Sequence, residues 1–241
     1  MTPGGASDVR IPAGSVVLSG TLRVPPAATA LVVAIFGGQN DSLAAPDRFP
    51  IQFLEYRGFA TLTVNLLTPR EEAQESRSGW YHLDAQFLAD RTCLVLAWIR
   101  RQTDLCRMPL GFLVQGTAVA GALMSASHHA EVRALVSVNG RADLAEGALA
   151  GIQVPTLFLV DASKLHDVDL NRYAAGKLRA PHRLDIVQDT EDKIPNSGIA
   201  RIAAEHAAEW FRTYVSGQAS RLLPTIEDNG YSLQSRTTSS V

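Results

Sequence analysis

Cysteine is scarce. Cys93 and Cys106 are the only two in 241 residues. Neither belongs to a C-x-x-C pair, which argues against a zinc site or a disulfide framework and fits a reducing cytoplasm. Charge of one sign is scarce as well. The formal net charge is -2 and no basic stripe runs through the chain, so nucleic acid and anionic membranes are poor partners. Long apolar runs are missing. The longest, ALVVAIF at 30–36, falls far short of the ~20 residues that span a bilayer, so no membrane insertion is expected. The N-terminal stretch MTPGGASDVRIPAG lacks an apolar h-region, and no signal peptide is expected from it. There is no internal repeat, and no motif calls for a cofactor or a metal ion.

What is present is apolar patterning. The chain is 46% hydrophobic, enough for one α/β domain with a core of its own. VVLSGTLRV at 16–24 alternates around Ser19-Gly20 and predicts an opening hairpin. Short apolar runs at 30–36, 60–65, 110–114, 134–138, 156–160 and 183–187 predict strands buried on both faces. Helical patterns lie between them, roughly at 46–57, 82–102, 118–128, 168–178 and 198–215. Strand and helix alternate, which predicts a mostly parallel sheet covered on both faces. The last helix puts Ile199, Ile202, Ala203, Ala207, Trp210 and Phe211 near one face, as a helix docked on a sheet would. After Gly217 the composition turns polar and rich in Ser and Thr. The chain therefore divides into a domain at 1–217 and a flexible tail or interaction arm at 218–241.

Ligands in such a sheet sit beyond the C-terminal ends of the strands. The residues to weigh there are FGGQNDS at 36–42, NLLTPRE at 65–71, QGTA at 115–118, NGRAD at 139–143, DASKLHD at 161–167 and QDTEDK at 188–193. Of these, 68–72 suits the capped start of a helix and the base of a lid. Residues 139–143 suit a strand-to-helix turn with an Asp cap. Glu191, Asp192 and Lys193 suit a solvated loop, and His166-Asp167 a loop surface. Trp80, Tyr81 and His82 fit a pocket wall or a packed surface loop equally well. His128-His129 suits a helix C-terminus rather than a metal site, because adjacent histidines point apart.

The run LGFLVQGTAVAGALMSAS at 110–127 reads as an apolar strand, a tight turn and a small-residue helix. Together with ALVVAIFGG, RGFATLTVNLLTPREE, LADRTCLVLAWIRRQ, VRALVSVNGRADLA, VPTLFLVD and AAEWF, it resembles the α/β-hydrolase superfamily, in particular bacterial proteins similar to dienelactone hydrolase. The resemblance spans about 9–215 and implies the α/β-hydrolase fold. It also implies where a Ser-His-Asp triad should stand. The serine position is Gly116, flanked by Val114 and Ala118 in place of glycines, and a glycine has no oxygen with which to form an acyl-enzyme. Reading Thr117 as the nucleophile restores neither the second glycine nor the other partners, and a β-branched residue resists a strained turn.

The acid position falls at Ser163 or Lys164, and the histidine position at Asp192. No histidine occurs between His182 and His206. The oxyanion loop keeps Gly37 and Gly38 but replaces its histidine with Phe36. A backbone N–H from that loop and one from Thr117 would form a residual oxyanion hole, with Gln115, Trp80 and His166 around it. Val114 and Ala118 predict that the elbow relaxes towards ordinary backbone angles.

Two functions follow. One is a catalytically silent relative that binds a small molecule or acts as an assembly subunit, with a protein partner or a second copy engaged through the tail. The other is a divergent enzyme: a hydrolase using displaced Asp161, His166 or Asp192, or a lyase, isomerase or cyclase using the residual oxyanion hole.

Overall fold

The computed structural model describes residues 5–37, 49–78, 80–188 and 197–217. The tail expected at 218–241, and with it Gly38, Glu191, Asp192 and Lys193, lies outside the described residues.

Among the described residues, eight strands form one sheet in the order β1-β2-β4-β3-β5-β6-β7-β8. They are β1 (Ala6–Ala13), β2 (Val16–Arg23), β3 (Leu31–Phe36), β4 (Ala60–Asn65), β5 (Leu110–Gln115), β6 (Val132–Val138), β7 (Thr156–Asp161) and β8 (His182–Val187). β1 and β2 are antiparallel, β2 runs antiparallel to β4, and the other pairs are parallel. The helices are α1 (Phe49–Tyr56), α2 (Pro69–Ser78), α3 (Trp80–Leu83), α4 (Ala85–Arg100), α5 (Ala118–Ala126), α6 (Leu165–Lys177) and α7 (Ser197–Tyr214). This mostly parallel sheet between helices is the α/β-hydrolase fold. Among the described residues, no helix is long and apolar enough to cross a membrane.

Alternation divides the core in two. One face of β3, β5 and β6 sends Val33, Ile35, Phe112 and Leu135 towards α4 and α5. The other sends Val32, Leu113 and Val136 towards α1 and α7, where Leu54, Ala207 and Phe211 receive them. The central strands are therefore apolar on both sides, as their unbroken runs predict.

Two strand expectations need correction. The opening hairpin turns at Gly14-Ser15, where Gly14 has φ +68, and 16–23 is a single strand. Gly20 serves another purpose. A Cβ there would lie 2.9 Å from the Thr63 carbonyl oxygen of β4. The alternation around Ser19-Gly20 marks close approach of two strands, not a turn. At the far end, β8 is not buried on both faces. Only Val187 is buried in it, because an outer strand has one neighbour and partial helix cover. α6 also begins three residues before its expected start, at Leu165.

Candidate functional site

The C-terminal ends of the parallel strands β3 to β7 lie at one edge of the sheet. At the centre, β5 ends at Gln115, Gly116 takes φ +64, and α5 starts at Ala118. The expected relaxation does not occur at Gly116. The turn keeps a left-handed residue there, a conformation only glycine adopts cheaply. Thr117 precedes the helix without a side-chain cap of its N-terminus. Val114 and Ala118 are accommodated because both side chains are buried in the core beneath the turn.

Neighbouring loops brace this elbow. The Arg141 N–H donates to the Gly116 carbonyl oxygen at 3.0 Å. Asn139, at φ +46, accepts a hydrogen bond from the Asp161 N–H on its side-chain oxygen at 2.8 Å. The fully buried Asn171 of α6 reaches back and donates to the Gly140 carbonyl oxygen at 2.9 Å. Gly140 has no room for a side chain, since a Cβ would lie 2.3 Å from Ser137 Oγ. Three successive βα loops are thus cross-tied, by one backbone hydrogen bond and two asparagine side chains.

The expected Asp cap at 139–143 takes another form. Arg141 precedes a short 3-10 turn, Ala142–Ala145, with no side-chain cap. Its guanidinium forks onto Asp143, with two contacts of 2.8 Å. Asp143 raises the Arg141 pKa against the opposing effect of burial, and Asp167 adds to the rise. Asp143 is thus engaged by Arg141 and caps no backbone N–H.

The remaining site residues are distributed as follows. Phe36 is buried beside Ala34 and Ile51, so its ring belongs to the core. Gly37 follows it and is buried. Gln115 is partly buried, and its side-chain carbonyl oxygen has no hydrogen-bond partner among the described residues. Asp161 accepts from the Ser163 N–H at 2.8 Å and so holds its own loop. Ser163, Lys164 and His166 are exposed, and His166 stands on the first turn of α6 rather than in a loop. Trp80 and His82 belong to α3. His128 and His129 follow α5 at its C-terminal end, away from the elbow. His206 pairs with Asp185 at 2.8 Å, between α7 and β8. Among the described residues, no group of three or more His, Cys, Asp or Glu side chains could hold a metal ion.

A polar cluster at the end of β4 surpasses what 65–72 foretold. Thr68 and Glu71 form a reciprocal capping box: the Thr68 N–H donates to Glu71 Oε2 at 2.8 Å, and the Glu71 N–H to Thr68 Oγ1 at 3.3 Å. The unforeseen partner is Arg91 of α4, 8% exposed. It donates to Glu71 Oε1 at 2.6 Å and to the Leu66 carbonyl oxygen at 3.2 Å, and lies over the Phe87 ring. Asn65 donates to Glu72 Oε1 at 2.5 Å. The available signal was a lone arginine on the apolar face of LADRTCLVLAWIR.

Burial tends to raise the Glu71 pKa, but the Thr68 N–H, Arg91 and the Thr68 hydroxyl outweigh it and hold the carboxyl below the usual carboxylate range. A depressed folded-state pKa adds stability above the unfolded value, about 4.3, and loses it as pH falls through the folded one. The unfolding free-energy gap between the wild type and Glu71→Gln should be full at neutral pH and shrink in acid. Denaturant titrations at a series of pH values check this; a gap independent of pH would contradict it.

Away from the elbow, a cleft between α1 and the β2–β4 edge is lined by Thr21, Arg23, Gln52, Glu55, Thr61 and Thr63. Its charged groups are already engaged: Arg23 pairs with Glu55 at 3.2 Å, and Thr61 donates to Glu55 at 2.7 Å.

A solved dienelactone hydrolase from Anabaena variabilis is 31% identical to this chain, with a TM-score of 0.80 over 88% of this chain and 99% of that one. The chain belongs to the dienelactone hydrolase family. The esterase domain of a Rhodothermus marinus protein, 13% identical, shares the fold with a TM-score of 0.65 over 88% of this chain and 100% of that one. In sequence, the chain is 30% identical over 211 residues to a Mycobacterium tuberculosis protein named "Putative phosphoribosyl transferase", found in two strains. That match covers 87% of this chain and 47% of the relative, so the chain spans about half the length of the curated relatives it matches. No protein-family model matches the chain. Within a family of hydrolases, then, this member has a left-handed glycine at the head of α5.

Proposed function

We propose that the chain is a catalytically silent member of the dienelactone hydrolase family that works by binding, as a ligand-binding or assembly unit. The observation that carries this is Gly116 with φ +64 at the turn between β5 and α5. Nucleophilic catalysis needs a side-chain oxygen, sulfur or nitrogen at that point, and glycine supplies none. The family acid position, Ser163 or Lys164, offers no carboxylate, and Asp192 stands where the base should be. What is left is the scaffold: the elbow, its braces, and the N–H groups of Gly37 and Thr117 as a residual oxyanion hole beside Gln115. The chain matches about half the length of a relative named a putative phosphoribosyl transferase. A protein of phosphoribosyl transferase type is the first partner to try.

The test is a serine-reactive fluorophosphonate together with a panel of p-nitrophenyl esters. Wild-type protein should be neither labelled nor active. Gly116→Ser should hydrolyse p-nitrophenyl acetate no faster than a matched surface-serine control, because a lone hydroxyl lacks a base. The substitution should also destabilise the fold by about 1–3 kcal/mol, the cost of a side chain at positive φ. Labelling of the wild type, or turnover by the variant above the control, would mean that a nucleophile or a base exists elsewhere.

A further inference from the structure

α2 reads PREEAQESRS. It carries no apolar stripe, so hydrophobic burial cannot be what seats it against the domain. Its base is instead fixed by polar groups. The Thr68–Glu71 box starts the helix, Glu71 grips Arg91 of α4, and Glu72 accepts from Asn65. The Arg91 end of this pair is rigid. Its guanidinium lies over Phe87, bonds the Leu66 carbonyl oxygen, and belongs to a helix packed along the core. The Glu71 end sits on the first turn of a short polar helix.

This junction adjoins the end of β3. Asn65 pairs with Phe36 across β3 and β4, and the Leu66 N–H donates to the Phe36 carbonyl oxygen at 2.9 Å. Gly37 is the next residue. Movement of α2 away from β4 would open the flank of the Phe36–Gly37 turn.

We infer that α2 is a hinged wall beside the Phe36–Gly37 turn, with the Glu71–Arg91 ion pair as its latch. Residues 66–68 stay with β4 and Arg91, and α2 swings when the Glu71–Arg91 pair separates and the Asn65–Glu72 and Gln74–Tyr81 contacts give way with it. An ion pair suits this role better than apolar packing does. Its partners are directional and, once α2 has moved off, each can be met by water. The device does not depend on whether the chain is silent or catalytic.

Hydrogen exchange read by mass spectrometry on the full chain tests the latch. Glu71→Gln is the informative variant, because glutamine can still close the capping box while losing the charge. Losing one charge-assisted contact should speed exchange of the α2 amides about tenfold or more, and by a larger factor than the amides of α4, α5 and β5. Arg91→Met should give the same local pattern. Should Arg91→Met fail to fold, the glutamine variant decides alone. Unchanged α2 exchange in Glu71→Gln would overturn the latch. So would an increase shared equally by α4, α5 and β5, since the pair would then serve only the stability of the whole domain.

Discussion

Gly121→Ala should lower the melting temperature by roughly 6–12 °C, from an overpacking cost of about 3 kcal/mol at 2–4 °C per kcal/mol for a domain of this size. Gly121 lies where α5 crosses α4. A Cβ there would come within 2.6 Å of Leu88 Cβ and 2.7 Å of both the Ala89 nitrogen and the Leu88 carbonyl carbon. Two of those atoms are backbone, so no rotamer change relieves the overlap. The helices must separate, and both are packed: Leu88 and Ala122 are fully buried. Gly147→Ala is the control, because a Cβ at Gly147 meets nothing within 4 Å. That variant should be neutral, or slightly stabilised through loss of chain entropy in the unfolded state. Equal melting temperatures for the two variants would mean that α4 and α5 do not approach as described.

Phe211→Ala should cost about 3–5 kcal/mol, the range for truncating a fully buried phenylalanine. Phe211 is 0% exposed and anchors α7 against the sheet, with its ring edge-to-face to Phe59 at 6.2 Å. Its seat is cut to shape by Gly111 of β5, where a Cβ would lie 2.7 Å from two ring carbons. The two positions should therefore be coupled. Gly111→Ala should be costly alone and markedly cheaper beside Phe211→Leu, since the smaller side chain vacates that space. Chemical denaturation of the two single variants and the double variant measures the coupling. Additive costs would show that the ring does not rest on Gly111.

These two sites show what pattern alone conveys. The parallel strands were legible because their apolar runs are continuous and the helices between them are long; 60–65 matches β4 residue for residue. Glycines were harder to read. Gly14 turns the hairpin, Gly20 lets two strands close up, and Gly116 holds a left-handed elbow. One residue type answers three physical demands, and local alternation does not separate them. The long-range polar ties were not legible at all. Arg91 and Glu71 stand 20 residues apart in sequence, and Asn171 finds the Gly140 carbonyl oxygen 31 residues back. Such pairs exist only once the chain has folded. The position of the elbow was legible from its strand-turn-helix pattern, whereas its retained angle was not, because Val114 and Ala118 suggested relaxation and only the braces around Gly116 explain why it keeps φ +64.

The two rims of the sheet carry a consequence for how such a chain meets other molecules. Among the described residues, β1 and β8 each pair on one side only. An open rim invites a foreign strand, and with it fibrillar self-association. Here β1 bears Asp8, Arg10 and Pro12, and β8 bears Arg183 and Asp185. Proline cannot donate to an added strand, and the charges would be stripped of water by one. Both rims thus discourage backbone-to-backbone annealing. Recognition of this domain by another chain would then be written in side chains on its faces, where sequence can discriminate between partners, and not in the generic hydrogen bonds of a shared sheet.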